Sequence, residues 1–320
     1  MKIVAADIDS VGNDINPRIY DDLGEVDYYA DKITEENAKE RLKGADVLLI
    51  NKSRITKEIL AKAPELKLIC EFATGYDNVD LKACSERGVK VANVVNYSTD
   101  SVAQHTFALL FYLLEHLDHY DNFVKSGAYS SQEHFCCLDR PFRELSEMTW
   151  GIVGMGNIGR KTARIAESFG AKVIFYASSG HSDCTEYEQV SFDELLSRSD
   201  IISIHCPLSE RTRNLFDKVA FTKMKNTAIL INVARGPIVN EDDLYEALDS
   251  GEIAAAGIDV LTKEPLPKDS KLLKLQDSDR LIITPHMAWG STEARLRCIN
   301  EVKKNIAAWA AGKPTHIVNE

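Results

Sequence analysis

The chain has 320 residues, 44% hydrophobic and 27% charged, with a formal net charge of -11 and a pI of about 5.3. This is the composition of a packed globular protein, long enough for two ordinary domains and for a core that needs no covalent staples. The acidic balance argues against nonspecific binding to nucleic acid or to an anionic membrane, while a few local cations still suffice to hold a small anionic substrate.

Short apolar runs alternate with helical patterns from the first residues onward. Residues 3–6, 47–50, 68–72 and 89–92 read as buried strands, and residues 35–42, 57–61 and 80–87 as helices between them. Such alternation predicts a parallel sheet with helices on its faces, an α/β fold. The run 98–117 is apolar around much of its circumference, with Val102, Ala103, Thr106, Leu109, Leu110 and Leu113 on one face and Phe107, Phe111 and Leu114 extending it. It predicts a helix buried on more than one side, bridging two domains or meeting a second subunit. Residues 125–146 are polar and loop-like. A second alternating series then begins, with strands expected over 149–153, 173–176, 201–205, 228–232, 255–259 and 281–284. A final helix is expected over 292–311, stopped by Gly312 and Pro314.

The seven cysteines (Cys70, Cys84, Cys136, Cys137, Cys184, Cys206 and Cys298) are scattered, odd in number and without a Cys-x-x-Cys pair. That pattern speaks for a reducing compartment and against a disulfide framework or a zinc cluster, and no metal site is expected. The apolar run behind Met1 is too short for a signal peptide, and no stretch is long and apolar enough for a bilayer span. The cytoplasm is the expected location.

Gly154, Gly156 and Gly159 form Gly-x-Gly-x-x-Gly between a predicted strand and a predicted helix over 157–169. The first glycine permits the tight turn, the second lets backbone approach a pyrophosphate, and the third lets helix and strand pack closely. The helix N-terminus then offers N–H donors and partial positive charge to the phosphates. A dinucleotide is therefore the expected cofactor. An NAD site usually has Asp or Glu at the end of the next strand, on the ribose 2′-hydroxyl. Here Ala177 stands in that place, followed by Ser178, Ser179, Gly180 and His181, with no Arg or Lys close behind. The choice between NAD and NADP stays open at this stage.

Three residues carry groups suited to hydride-transfer chemistry. Arg235 follows the strand over 228–232, and its fork of donors suits a carboxylate and a polarised carbonyl. His286 follows the strand over 281–284 and is the natural proton donor near neutrality. Glu264 follows the strand over 255–259, and a carboxylate beside an imidazole fixes its tautomer and favours its charged form. All three lie past carboxyl ends of predicted parallel strands, the edge at which open α/β sheets bind ligands.

With these stretches in place the chain resembles the D-2-hydroxyacid dehydrogenase family along nearly its whole length. The resemblance is carried by the glycine turn, by Asn232-Val233-Ala234-Arg235-Gly236, by Gly257-Ile258-Asp259-Val260 with Glu264-Pro265, and by Thr284-Pro285-His286. The stretches 73–80 and 96–104, together with His286-Met287-Ala288-Trp289 and Glu293-Ala294-Arg295, are similar to its glycerate dehydrogenase, or hydroxypyruvate reductase, branch.

The resemblance implies two Rossmann-like domains, a discontinuous substrate domain over 1–98 and 288–320 and a dinucleotide-binding domain over 99–287. It implies a homodimer, and reduction of hydroxypyruvate or glyoxylate to the D-2-hydroxy acid with NAD or NADP. Arg235 would bind substrate, Glu264 would orient the acid, and His286 would be the acid/base. Thr74, Gly75 and Trp289 would join Arg235 on the substrate. Thr74, Gly154, Gly156, Asn157, Ile158, Gly159, Ala177, Ser178, Cys206, Pro207, Thr212, Val233, Ala234, Arg235, Asp259 and His286 would line the dinucleotide, with Asp259 under the nicotinamide amide. Substrate selection would fall to Asn51, Lys52, Ser53 and Arg54 and to residues 72–76.

Three alternatives remain. One is the same chemistry on pyruvate or branched 2-oxo acids, as in D-lactate dehydrogenases. Another is a non-enzymatic, NAD-sensing corepressor. Formate dehydrogenase is disfavoured, since it carries Gln where Glu264 stands.

Overall fold

The computed structural model describes residues 1–319 and contains two parallel sheets. The chain divides into two compact units, Met1–Ser98 with Gly290–Glu320, and Thr99–Trp289.

The first unit runs β1 (Lys2–Ala5), β2 (Glu25–Tyr28), α1 (Ala38–Arg41), β3 (Val47–Ile50), α2 (Lys57–Ala61), β4 (Leu68–Glu71), α3 (Leu81–Glu86) and β5 (Lys90–Ala92). Its sheet has the order β2-β1-β3-β4-β5 with every pairing parallel. All residues of β3 and β4 are buried; β3 is a continuous apolar run, as a strand covered on both faces requires, and β4 ends in buried Glu71. The strand order reverses between β1 and β3. There the Asp7 carboxylate accepts the backbone N–H groups of Asn51 and Ser53, each at 2.8 Å. Asn51 is buried and donates from Nδ2 to Ser10 Oγ, while Arg54 is exposed.

The second unit begins with α4 (Thr99–Leu114), α5 (Leu117–Lys125) and α6 (Ala128–Ser131). It continues through β6 (Thr149–Val153), α7 (Asn157–Ser168), β7 (Lys172–Tyr176), β8 (Glu188–Gln189), α8 (Phe192–Arg198) and β9 (Ile201–Ile204). It ends with α9 (Lys218–Lys223), β10 (Ile229–Asn232), α10 (Glu241–Ser250), β11 (Ala255–Ile258) and β12 (Leu281–Ile283). These strands form a seven-stranded parallel sheet, β12-β11-β10-β9-β6-β7-β8.

Successive strand residues point to opposite faces, so the sheet serves two cores. Trp150, Ile152, Ile201, Ile229 and Ile231 pack with α4 and α7. Val153, Ile202, Ile204, Leu230 and Ala256 pack with α8, α9 and α10. The broad apolar surface of α4 is thereby accounted for within its own unit, where the Phe107 ring lies 4.8 Å from that of Trp150. The stretch expected to be loop-like from residue 125 holds the end of α5 and the short α6 instead. Neither helix has a buried residue, and α5 carries its apolar Leu117 and Val124 on exposed surface.

The chain returns to the first unit with α11 (Thr292–Ala310), capped by Ser291 and burying Cys298, Ile299, Val302 and Ile306. Tyr20 fastens it by donating to the Ile299 carbonyl at 3.0 Å. Among the described residues no helix is long and apolar enough to cross a membrane.

Candidate active site

The glycine turn joins β6 to α7 at the centre of the seven-stranded sheet. The chain leaves β6 toward β7 on one side and later crosses to β9 on the other, so the strand order reverses here. Such a reversal opens a crevice at the carboxyl edge of the sheet. Gly154 has φ 93°, and a Cβ there would lie 2.8 Å from the Cys206 backbone. A Cβ on Gly159 would collide with the Gly154 carbonyl, so close helix–strand packing requires that glycine. Around Gly156 the situation is opposite. A Cβ there meets no heavy atom within 4 Å, and no side chain caps α7 at Gly156. Open space beside an uncapped helix N-terminus fits the pyrophosphate of a dinucleotide.

The edges of this cradle come from two loops. Past β7, Ala177 is buried at 4% exposure and belongs to the core, so the side chains at the loop surface are those of Ser178, Ser179 and His181. Past β9 come buried Cys206 and exposed Pro207. Thr212 is buried, and its hydroxyl donates to the Pro207 carbonyl and accepts from Ser209 N–H, each at 2.8 Å, which shapes the loop from within. Burial pushes the Cys206 thiol up to about 11, which keeps it protonated at neutral pH. His205 beside it is held neutral by burial, down to about 3, with Nδ1 unpartnered and Nε2 on Ser203 Oγ. Nothing in the sequence had singled it out.

Arg235 sits at the carboxyl end of β10. Asn232 staples the turn that carries it, donating from Nδ2 to the Arg235 carbonyl at 3.0 Å and accepting Ala234 N–H at 3.1 Å. Val233 is buried and Ala234 partly so. The Arg235 guanidinium is half-buried and donates to the Ala234 carbonyl at 2.8 Å.

Glu264 and His286 meet. His286 Nδ1 lies 2.7 Å from Glu264 Oε2, and Glu264 Oε1 accepts Leu261 N–H at 2.9 Å. The carboxylate is thus fixed from behind and presents one oxygen to the imidazole. His286 has φ 55°, a left-handed conformation that a bulky side chain adopts only when its surroundings compel it.

Asp259 supplies that compulsion. It is 1% exposed and stands just past β11. Its carbonyl accepts His286 N–H at 2.8 Å, and its carboxylate accepts Met287 N–H, Ala288 N–H (2.8 Å each) and the Thr284 hydroxyl (2.6 Å). His105 of α4 places Nε2 3.0 Å from Thr284 Oγ1 and 3.5 Å from Asp259 Oδ1. Ser101 donates to the Ala288 carbonyl at 2.6 Å. Burial works to raise the Asp259 pKa, but the hydrogen bonds from His105, Thr284, Ala288 and Met287 outweigh it and hold the carboxyl below its usual range. The resemblance implies that Asp259 lies under the nicotinamide amide, and its oxygens also hold the turn that carries His286. His105 and Ser101 were missed because 179 and 187 residues separate them from their partners.

Trp289 is partly buried against the same core as α4. In the first unit, Thr74 follows β4 and donates its hydroxyl to the Val94 carbonyl at 2.7 Å, while its own carbonyl accepts from Asn93 Nδ2. Gly75 follows it, half-buried. Among the described residues no three His, Cys, Asp or Glu are grouped to hold a metal ion.

A doubly wound sheet with a phosphate cradle at its switch point, and Arg, Glu and His gathered past neighbouring strand ends, defines a dinucleotide-dependent oxidoreductase. Residues 107–288 match the family model described as D-isomer specific 2-hydroxyacid dehydrogenase, NAD binding domain. Over the full length of both chains the protein is 37% identical to a hydroxypyruvate reductase of Blautia hydrogenotrophica. It is also 37% identical to a glycerate dehydrogenase of Methylorubrum extorquens, over 99% of this chain and 98% of that one. Among solved structures, an acyclic imino acid reductase in complex with NADPH and D-Arg superposes with a TM-score of 0.86 at 32% identity, over 99% of this chain and 100% of the other. The chain belongs to the D-isomer specific 2-hydroxyacid dehydrogenase family. It is an oxidoreductase acting on CH–OH groups with a nicotinamide dinucleotide.

Proposed function

We propose that the protein reduces hydroxypyruvate or glyoxylate to the corresponding D-2-hydroxy acid. The observation that carries this reading is the 2.7 Å contact between His286 Nδ1 and Glu264 Oε2, beside Arg235 at a neighbouring strand end. The relatives named hydroxypyruvate reductase and glycerate dehydrogenase supply the substrate class. We assign the dinucleotide to the unit Thr99–Trp289 and the substrate-domain role to the other unit.

A nicotinamide dinucleotide held at the turn of Gly154, Gly156 and Gly159 would supply the hydride for the carbonyl carbon. His286 gives a proton to the carbonyl oxygen from Nε2, because Glu264 engages Nδ1. Glu264 fixes the tautomer and the orientation of the imidazole before transfer. Arg235 holds the substrate carboxylate and the developing alkoxide, where a charged donor is strongest. Glu264→Gln leaves His286 Nδ1 without its carboxylate partner, so kcat for reduction should fall by more than KM changes. Wild-type kcat in that variant would exclude this role for Glu264.

The assay offers purified enzyme hydroxypyruvate, glyoxylate, pyruvate and 2-oxoisocaproate with NADH and with NADPH, following absorbance. Fastest oxidation with hydroxypyruvate or glyoxylate is expected. Turnover confined to pyruvate or the bulkier acid discards the substrate assignment but keeps the chemistry. Dinucleotide binding without turnover on any of them replaces the enzyme with a sensing protein.

We also assign a homodimer formed through residues 117–142. That segment exposes Leu117, Val124, Phe135, Leu138 and Phe142, with Phe135 92% and Leu138 75% accessible. Apolar side chains this exposed and this close in sequence mark an interface. Light scattering after gel filtration should give a dimer mass, and the double variant Phe135→Glu, Leu138→Glu should give a monomer. A monomeric wild type at micromolar concentration overturns the assignment. The seven cysteines, none in a disulfide, suit a reducing compartment, and we place the enzyme in the cytoplasm.

A further inference from the structure

The loop past β7 lacks the carboxylate that would select a free ribose 2′-hydroxyl, and the fold brings a cation to that loop from 32 residues downstream. Arg211, in the loop past β9, donates from Nη1 to the Ser179 carbonyl at 3.2 Å. Because β7 and β9 flank β6, their following loops stand on either side of the glycine turn. Residues Ala177 to Gly180 close a tight turn, with Gly180 N–H on the Ala177 carbonyl at 2.8 Å and φ 87° at Gly180. A Cβ on Gly180 would lie 4.0 Å from Arg211 Nη1, so the guanidinium lies alongside this turn.

Two cations of α7 are already matched. Arg160 pairs with Asp183 and with Glu186, and Arg164 pairs with Glu186. Among the described residues no carboxylate lies within ion-pair distance of Arg211. Its bond to one carbonyl engages one of five N–H donors. The remaining donors form a fork of the kind that binds phosphate in two-point fashion. Ser178 and Ser179 add hydroxyls on the same turn, and neither carries the charge that would repel a phosphate.

We propose that Arg211, with Ser178 and Ser179, forms a subsite for the 2′-phosphate of the dinucleotide, so that this chain selects the phosphorylated cofactor. The proposal rests on the dehydrogenase reading only in so far as a dinucleotide lies in the cradle at Gly156. Its test therefore measures binding of cofactor fragments that cannot carry hydride.

Calorimetric titration with adenosine 2′,5′-bisphosphate and with 5′-AMP separates the phosphate from the rest of the ligand. Wild-type protein should bind the bisphosphate more tightly, and by a margin that shrinks with added salt. Arg211→Ala should weaken the bisphosphate about tenfold or more, as loss of a charge-assisted hydrogen bond implies, and weaken 5′-AMP much less. Arg211→Lys should restore part of the difference, since it keeps the charge and loses the fork. Ser178→Asp should invert the preference. In parallel, the ratio of kcat/KM for NADPH over NADH should fall in Arg211→Ala. Arg211 is exposed, so these variants should keep the wild-type melting temperature. Equal affinity of the wild type for the two fragments, or equal weakening of both by Arg211→Ala, overturns the subsite and leaves the dehydrogenase reading intact. Binding of neither fragment overturns both.

Discussion

Replacing His286 by asparagine is expected to lower kcat for reduction by about 10²- to 10⁴-fold, the range that a positioned general acid contributes. Asparagine is the informative substitution because position 286 has φ 55°. Asn tolerates the left-handed region, whereas most side chains lose about 1–2 kcal/mol there. The variant thus keeps the turn, including the N–H bond from residue 286 to the Asp259 carbonyl, and removes the imidazole. The loss should lie in kcat more than in KM, since proton transfer matters in the transition state rather than in binding. Steady-state kinetics of reduction together with a thermal melt reads both quantities. A folded variant retaining near-normal turnover would falsify the role of His286 as proton donor.

The second large effect is expected at Asp259. Asp259→Ala leaves the Met287 and Ala288 N–H groups and the Thr284 hydroxyl without their acceptor in a buried setting. At about 1–3 kcal/mol for each buried group left unsatisfied, a destabilisation of roughly 3–5 kcal/mol follows once water and local relaxation recover part of the loss. Activity should fall as well, because the same hydrogen bonds hold the turn of His286. Urea denaturation measures the first effect and kcat the second.

The pH dependence has a definite sign. The Asp259 pKa lies below its ordinary value of 3.8 in the folded chain. Its ionised form therefore adds stability that is fully present above the unfolded carboxyl pKa and is lost as pH falls through the folded one. The stability gap between wild type and Asp259→Asn should be constant from neutrality down to about pH 5 and shrink below the unfolded value. A gap that grows on acidification would mean that the carboxyl is not held ionised by its partners.

How much of this could be read from the sequence divides along a physical line. The glycine turn was legible because each of its three constraints, a left-handed φ, an open face and a close helix contact, acts within six residues. The central strands were legible for a similar reason. Burial on both faces demands unbroken apolar runs such as Val47–Ile50. Arg235, Glu264 and His286 could be singled out because each follows a strand, and parallel sheets bind ligands at one edge. The edge strand β2 (Glu25–Tyr28), the two-residue β8 and the one-turn α6 left no such mark, having little or no buried face to encode.

What the tertiary structure alone decided are the contacts that chain closure creates between distant residues. The pairing of Glu264 with His286, which the resemblance implies, takes its 2.7 Å geometry from β11 and β12 lying side by side. Asp259 was assigned to the cofactor from family resemblance, and only the packed turn revealed that its carboxylate holds the segment after β12. Its support from His105 depends on α4 lying across the sheet. Arg211 stands 32 residues beyond Ser179 in the chain, and the fold delivers it to the loop past β7 from the far side of β6. Local sequence sets dihedral freedom and the period of burial. Which charges become neighbours is set by strand order, and strand order is fixed only when the whole sheet packs.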